Sequence, residues 1–347
     1  MSGINEKNDL SGLGEFGLIR VLTEKIILKN KSSILGVGDD AAVLDMRDKK
    51  TVVTTDMLTE GIHFDLVYTP LKHLGYKSVV VNLSDIYAMN AIPSQILVSI
   101  AVSAKFTTEM IQEFYEGIHL ACEVYGVDLV GGDTTSSLTG LTICITAIGS
   151  APEGKLVYRS GAKENDLICV SGNLGAAFMG LQLLEREKRI YMQTGEVQPD
   201  LTDKDYILER QLKPEARRDI INLLDKSGIK PTSMIDISDG LSSEIIHLCH
   251  ASDMGCRIFA EKIPIADETK AMAEELNLEP VTISLNGGDD YELLFTVSLA
   301  DFEKVNAITE ISVIGHMTKK SEGNYLVTPD GSYVEIMSLG WNSLRKD

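Results

Sequence analysis

The chain has 347 residues, 44% of them hydrophobic, which is enough apolar material for two domains with buried cores. A formal charge of −19 argues against a nucleic-acid partner, because such a surface needs Lys and Arg to neutralise phosphates. It does not exclude a phosphate ligand, since divalent cations held by carboxylates reverse the local sign of charge.

No apolar run approaches a membrane span; residues 96–104 form the best candidate and are strand-sized. The opening MSGINEKNDLSG lacks a charged-then-apolar signal pattern, so the expected location is the cytoplasm. Five scattered cysteines (Cys122, Cys144, Cys169, Cys249, Cys256) contain no Cys-x-x-Cys pair and read as reduced, structural residues.

In chain order, β-branched runs predict strands over 34–37, 51–55, 96–101, 127–130 and 141–148. Residues 74–89 are ambiguous because Val79-Val80-Val81 favours strand. Helix is preferred, since Val79, Leu83 and Ile86 form one stripe and Ser78, Asn82 and Asp85 another. Met110, Phe114, Ile118, Ala121, Cys122 and Tyr125 recur at helical spacing, with Thr107 or Thr108 as cap. Pro, Gly and charge accumulate over 150–165, marking a boundary between domains 1–152 and 153–347.

The second half predicts a strand over 167–170, a helix from Ala176 and a charged segment over 185–210 read as a solvated helix. A helix from Pro214, a strand over 234–237, a helix from Leu241 and a strand over 293–297 follow. The expected fold class is α+β, with mixed layers in both domains.

Acidic residues repeatedly close these strands in small-residue company. The instances are GVGDD at Gly36, TTD at Thr54, GGDTT at Gly131, DISDG at Asp236 and GGDD at Gly287. One such cluster reads as a turn. Five are harder to explain so, because adjacent carboxylates repel unless a cation or solvent intervenes. Oxygen-only ligand sets suit Mg²⁺, which keeps waters and is completed by substrate phosphates. Ser238 or Asp239 is expected to cap the helix from Leu241, whose free amides would favour an anion.

Other motifs carry less. GLGEFG at Gly12 matches a dinucleotide loop, but no strand precedes it. There is no Walker-type loop and no EF-hand. His247 and His250 lack a carboxylate at matching spacing and read as surface residues.

Taken in order, GEFGLI at Gly14, VGDDAA at Val37, TTDMLTEGIHF at Thr54 and NLSDIYAMNAIP at Asn82 resemble the thiamine-monophosphate kinase family. GGDTT at Gly131, RSGA at Arg159, DISDGL at Asp236, GGDDYELLF at Gly287 and Gly340-Trp341 extend the match over nearly the whole chain. The superfamily includes aminoimidazole ribonucleotide synthetase. The resemblance implies that Asp40, Thr54, Thr55, Asp56, Asp85, Asp133, Asp236 and Asp239 bind Mg²⁺ ions. It implies that Gly132, Asp133, Arg159 and Ser238 contact ATP, and that His63, Asp289 and Trp341 contact thiamine monophosphate.

It further implies an N-terminal domain that pairs strands across a homodimer and a C-terminal domain that closes the active-site cleft. The implied reaction is direct in-line transfer of the ATP γ-phosphoryl group, giving thiamine diphosphate. Asp289 stands where the family usually carries Glu, Tyr87 and Asn90 replace small residues, Thr59 replaces valine and Asn165 replaces glycine. The alternatives are another ATP-using enzyme of the superfamily, such as a selenophosphate synthetase, or a non-catalytic cation or nucleotide sensor. No Cys precedes Cys122, which disfavours the selenophosphate type.

Overall fold

A computed structural model describes residues 21–35, 43–47, 49–195 and 199–337. Two compact units divide the chain, Met1–Ile86 with Ala91–Gly154, and Tyr87–Asn90 with Lys155–Asp347.

In the first unit, β1 (Ser33–Leu35) pairs with β2 (Val43–Leu44). A four-stranded sheet follows, built from β3 (Lys50–Thr59), β4 (Ile92–Ser103), β5 (Asp128–Ser137) and β6 (Thr142–Ala151) in the order β3-β6-β4-β5. Helix α1 (Leu71–Ala88) lies between β3 and β4, and helix α2 (Thr108–Tyr125) is the crossover that lets β4 and β5 run parallel. Thr107 caps α2 as expected, accepting from the Met110 amide, and Gly126 ends it in the left-handed region.

The ambiguous segment 74–89 is helix. Its β-branched run does not prevent this, because Val79, Val80 and Leu83 are all fully buried and packing outweighs local preference. α1 and α2 touch backbone to backbone, since a Cβ on Gly75 would sit 1.9 Å from the Phe114 carbonyl oxygen. On β4 and β6, Ile96, Val98, Ile100, Ile143 and Ile145 are buried while their alternating neighbours are half-exposed, the period-2 signature of a sheet covered on one face.

The second unit holds β7 (Leu167–Ser171), α3 (Ala176–Thr194), α4 (Asp205–Leu212), α5 (Arg218–Lys226) and β8 (Ser233–Asp236). Next come α6 (Leu241–Ser252), β9 (Met254–Phe259), α7 (Asp267–Glu275), α8 (Pro280–Asn286) and β10 (Leu293–Val297). The last elements are α9 (Phe302–Asn306), β11 (Ile311–Lys319), β12 (Asn324–Val327) and β13 (Tyr333–Glu335). The strands form one sheet in the order β13-β12-β9-β11-β7-β10-β8.

β7 and β10 are buried at every position, so they read as continuous apolar runs. One core cluster lies around Ile235, Leu241, Ile258 and Leu294; a second joins Met179, Leu183, Ile207 and Met272.

Several expectations are corrected. The charged segment 185–210 is not one solvated helix: α3 continues through it to Thr194, and a separate α4 starts at Asp205. The helix expected from Pro214 begins at Arg218. Asp56 and Asp133 do not close strands but lie within β3 and β5.

Candidate active site

In the first unit, β3 delivers its predicted ligands to opposite faces. The Thr54 hydroxyl donates to Asp85 Oδ2 on α1 at 2.6 Å. The Asp56 amide donates to Asn82 Oδ1 on the same helix at 2.9 Å. Thr55 points the other way, as strand alternation requires: its hydroxyl donates to the Ile145 carbonyl at 3.1 Å and receives the Thr146 hydroxyl at 3.1 Å. Burial pushes the Asp56 carboxyl up to about 6, and the Asp85 charge adds to the shift.

Asp133 is not part of this group. Register carries Met57 to Cys144, Cys144 to Ser99 and Ser99 to Asp133, three strand spacings away. At about 4.8 Å per spacing that is roughly 14 Å, too far for Asp56 and Asp133 to share one ion within this unit. Gly132 and Asp133 are exposed on β5, an edge strand. His63 is exposed in a tight turn in which its own amide donates to the Thr59 carbonyl at 3.0 Å and its Nδ1 accepts the Thr59 amide at 3.1 Å. Asp40 lies outside the described residues, as does Trp341.

The second unit brings together predicted residues about fifty positions apart. β8 and β10 pair with Asp236 opposite Leu293, which sets the loop before β10 against the loop after β8. The Asp289 amide donates to the Ser238 carbonyl at 2.7 Å, and the Tyr291 amide to the Ile237 carbonyl at 2.9 Å. Gly288 is required here, because a Cβ would meet the Ser238 oxygen at 2.5 Å and its φ is +73°. Asp289 and Tyr291 also adopt positive φ, 60° and 51°, a strained state for residues with side chains. The Tyr291 hydroxyl donates to Asp289 Oδ1 at 2.9 Å. Burial raises the Asp239 carboxyl; His247 opposes the shift and Asp289 reinforces it. Arg159 is exposed in this unit.

The expected cap is reversed. Gly240 is the residue that precedes α6 and makes no side-chain cap bond, while the Ser238 hydroxyl donates to Glu244 Oε1 within the helix at 3.5 Å. Glu244, inside α6, also accepts the Asp239 amide at 3.1 Å and fixes the loop from the helix side. Burial lifts the Glu244 carboxyl to about 8.

A second support was not apparent from local sequence. Glu292, 1% exposed, accepts Arg210 at 2.9 Å, Ser171 at 2.5 Å and Arg217. Arg210 also donates to the Asn173 and Asp290 carbonyls, and Asp290 Oδ2 accepts the Gly175 amide at 2.9 Å. Charges flanking the apolar Leu293–Val297 run were the available signal for this buried network.

Among the described residues no group of three or more His, Cys, Asp or Glu is arranged to hold a metal ion. The donor chemistry nevertheless fits Mg²⁺. Asp56 and Asp85 are oxygen donors whose mutual repulsion a cation would relieve, and Mg²⁺ commonly uses one or two carboxylates, waters and substrate phosphate. No described helix is long and apolar enough to cross a membrane.

Residues 38–151 match the family model described as "AIR synthase related protein, N-terminal domain". Thiamine-monophosphate kinase of Bacillus subtilis is 32% identical over 339 residues, covering 96% of this chain and 100% of the relative. That of Aquifex aeolicus is 34% identical over 333 residues, covering 96% and 98%. The solved structure "AaThiL complexed with AMPPCP and TMP" matches with a TM-score of 0.73 and 33% identity, covering 96% of this chain and 97% of that one. A hydrogenase maturation protein, HypE, solved with ATP, has a TM-score of 0.71 at 16% identity over 92% and 94%, a likeness of fold. Full-length identity above 30% and the ordered motifs lead to one conclusion: the chain belongs to the thiamine-monophosphate kinase family.

Proposed function

We propose that this protein transfers the γ-phosphoryl group of ATP to the phosphate of thiamine monophosphate, giving thiamine diphosphate and ADP in thiamine biosynthesis. The observation that carries the reading is the Asp289 amide bond to Ser238: a predicted acceptor contact is fixed against a predicted ATP contact. The complex of a 33% identical relative with AMPPCP and TMP supports the same pair of ligands.

The nucleophile is a phosphate oxygen whose second pKa lies near roughly 6, so it is mostly deprotonated at neutral pH and needs no general base. The obstacle is repulsion between polyanions. Two unit charges about 4 Å apart repel by roughly 4 kcal/mol at an effective dielectric near 20. Mg²⁺, when bound, supplies the positive charge that offsets this repulsion. Thr54, Thr55, Asp56, Asp85, Asp133, Asp236 and Asp239 would hold the ions, with Asp40. Arg159 would meet phosphate directly, as guanidinium does well. Gly132 and Ser238 would contact ATP. His63 would approach the acceptor with Nε2, since Nδ1 is taken by the Thr59 amide. Trp341 would contact the thiamine moiety.

Strand pairing into a homodimer is part of the proposal, and the cytoplasm is its proposed location. Among the described residues β3 is an edge strand, and on the face shared with Thr55 its Val53 and Met57 are 61% and 58% exposed, an apolar surface suited to cover by a second copy. Light scattering of the purified chain tests the dimer.

The deciding assay compares ADP release with thiamine monophosphate, thiamine and other phosphorylated acceptors. Turnover confined to thiamine monophosphate is expected; turnover only with another acceptor overturns the substrate. Inversion at a chiral γ-phosphorus is expected, and retention would sink direct transfer.

A further inference from the structure

The polar stripe Ser78, Asn82 and Asp85 runs along a helix that is otherwise core. Asn82 is 1% exposed, and its neighbours Val79, Leu83 and Ile86 are fully buried. A buried amide is costly unless its donors and acceptor are bonded. Asn82 Nδ2 donates to the Ser78 carbonyl at 3.0 Å, a bond inside its own helix. Its Oδ1 accepts a bond from far along the chain, from the amide of Asp56 at 2.9 Å.

That placement is specific. Among the described residues β3 has a strand neighbour on one side only, β6. Two residues before Asp56, on the same face of β3, Thr54 donates to Asp85, which follows Asn82 by three positions, about one helical turn. Two consecutive inward positions of the strand are thus tied to two successive turns of the helix. The ladder to β6 holds β3 in the sheet, and the two ties set how this strand lies against α1. The tie to Asn82 runs through the Asp56 main chain and leaves its carboxylate oxygens available.

We propose that Asn82 is a positioning residue that docks β3 on α1 and so holds the Asp56 carboxylate beside Asp85 for a divalent cation. The inference rests on the reading of Asp56 and Asp85 as cation ligands. Partners that orient a metal ligand without touching the metal commonly change metal affinity by roughly 10–100-fold when removed.

The test uses Mn²⁺ as a spin probe for the Mg²⁺ site, with free Mn²⁺ read by electron paramagnetic resonance on the full chain, with and without ADP. Asn82→Ala is expected to weaken Mn²⁺ binding by roughly ten-fold or more. Ser78→Ala, which loses the buried hydroxyl bond to the Gly75 carbonyl but keeps the Asn82 contact, should stay within about twofold. Asp56→Asn should lose the site. If Asp56→Asn binds Mn²⁺ like the unmodified protein, or the unmodified protein binds none, the ligand reading fails. If Asp56→Asn loses binding while Asn82→Ala matches the unmodified protein, the ligand reading stands and the positioning role is wrong. Should Asn82→Ala not fold, amide exchange of the unmodified protein decides: a protected Asp56 amide supports the tie, and exchange at the free-peptide rate overturns it.

Discussion

Replacing Asp56 by Asn should stabilise the cation-free protein while destroying its response to Mg²⁺. The Asp56 carboxyl is raised from 3.8 to about 6, first by burial and then by Asp85. The folded state therefore holds this proton more tightly than the unfolded chain. The stability it contributes is complete below about pH 4 and is lost as pH rises through about 6. The rise from 3.8 to about 6 sets a ceiling of about 3 kcal/mol for the penalty at pH 7.5. Partial solvent access at this half-buried position reduces it to about 1–2 kcal/mol.

Asn cannot ionise and carries no such penalty. At about 2–4 °C per kcal/mol, the variant should melt about 2–8 °C higher at pH 7.5 in chelator, by calorimetry of the full chain. The gap should close toward pH 4, where the unmodified carboxyl is also neutral. With saturating Mg²⁺ the order should reverse, since an ion at a hundred times its Kd adds about 2.7 kcal/mol to the unmodified protein alone. A variant that melts lower in chelator at pH 7.5, or a gap that persists at pH 4, would show that burial does not penalise the charged Asp56 carboxylate.

In the second unit, Glu292→Ala should cost about 3–5 kcal/mol in urea unfolding, because it leaves Arg210 and Arg217 facing a buried site without their carboxylate. Asp290→Asn, by contrast, should stay within about 1 kcal/mol: burial already lifts this carboxyl to about 7, and Asn still offers an oxygen to the Gly175 amide. Gly75→Ala should destabilise the first unit by about 2–3 kcal/mol despite alanine's better helix propensity, because the new Cβ meets the Phe114 carbonyl oxygen at 1.9 Å.

Sequence periodicity was sufficient where one element answers to one pattern. The stripes Val79-Leu83-Ile86 and Ser78-Asn82-Asp85 identified α1 against its own β-branched run, and Thr107 marked the start of α2. Strands β9 and β11 escaped, because Gly255, Arg257, Gly315 and His316 interrupt their apolar pattern and only neighbouring strands make them sheet. Acidic residues were recognisable by type and company, which also pointed to oxygen-ligated cations.

Their grouping was not recognisable, because it depends on registers and packing set by distant residues. Strand pairing moved Asp56 and Asp133 to opposite edges of one sheet, and side-chain alternation separated Thr54 from Thr55. Pairing of β8 with β10 joined Asp289 to Ser238 across about fifty positions of sequence. Burial then chose the supports: Asn82, Glu244 and Glu292 are polar groups enclosed by the fold, and each had to find a partner there. Local patterns were enough for the family and for most of the helices and strands, because each of these is written in a contiguous stretch. Which acidic and polar residues meet came from packing, since proximity between distant segments is a property of the folded core and not of any local stretch.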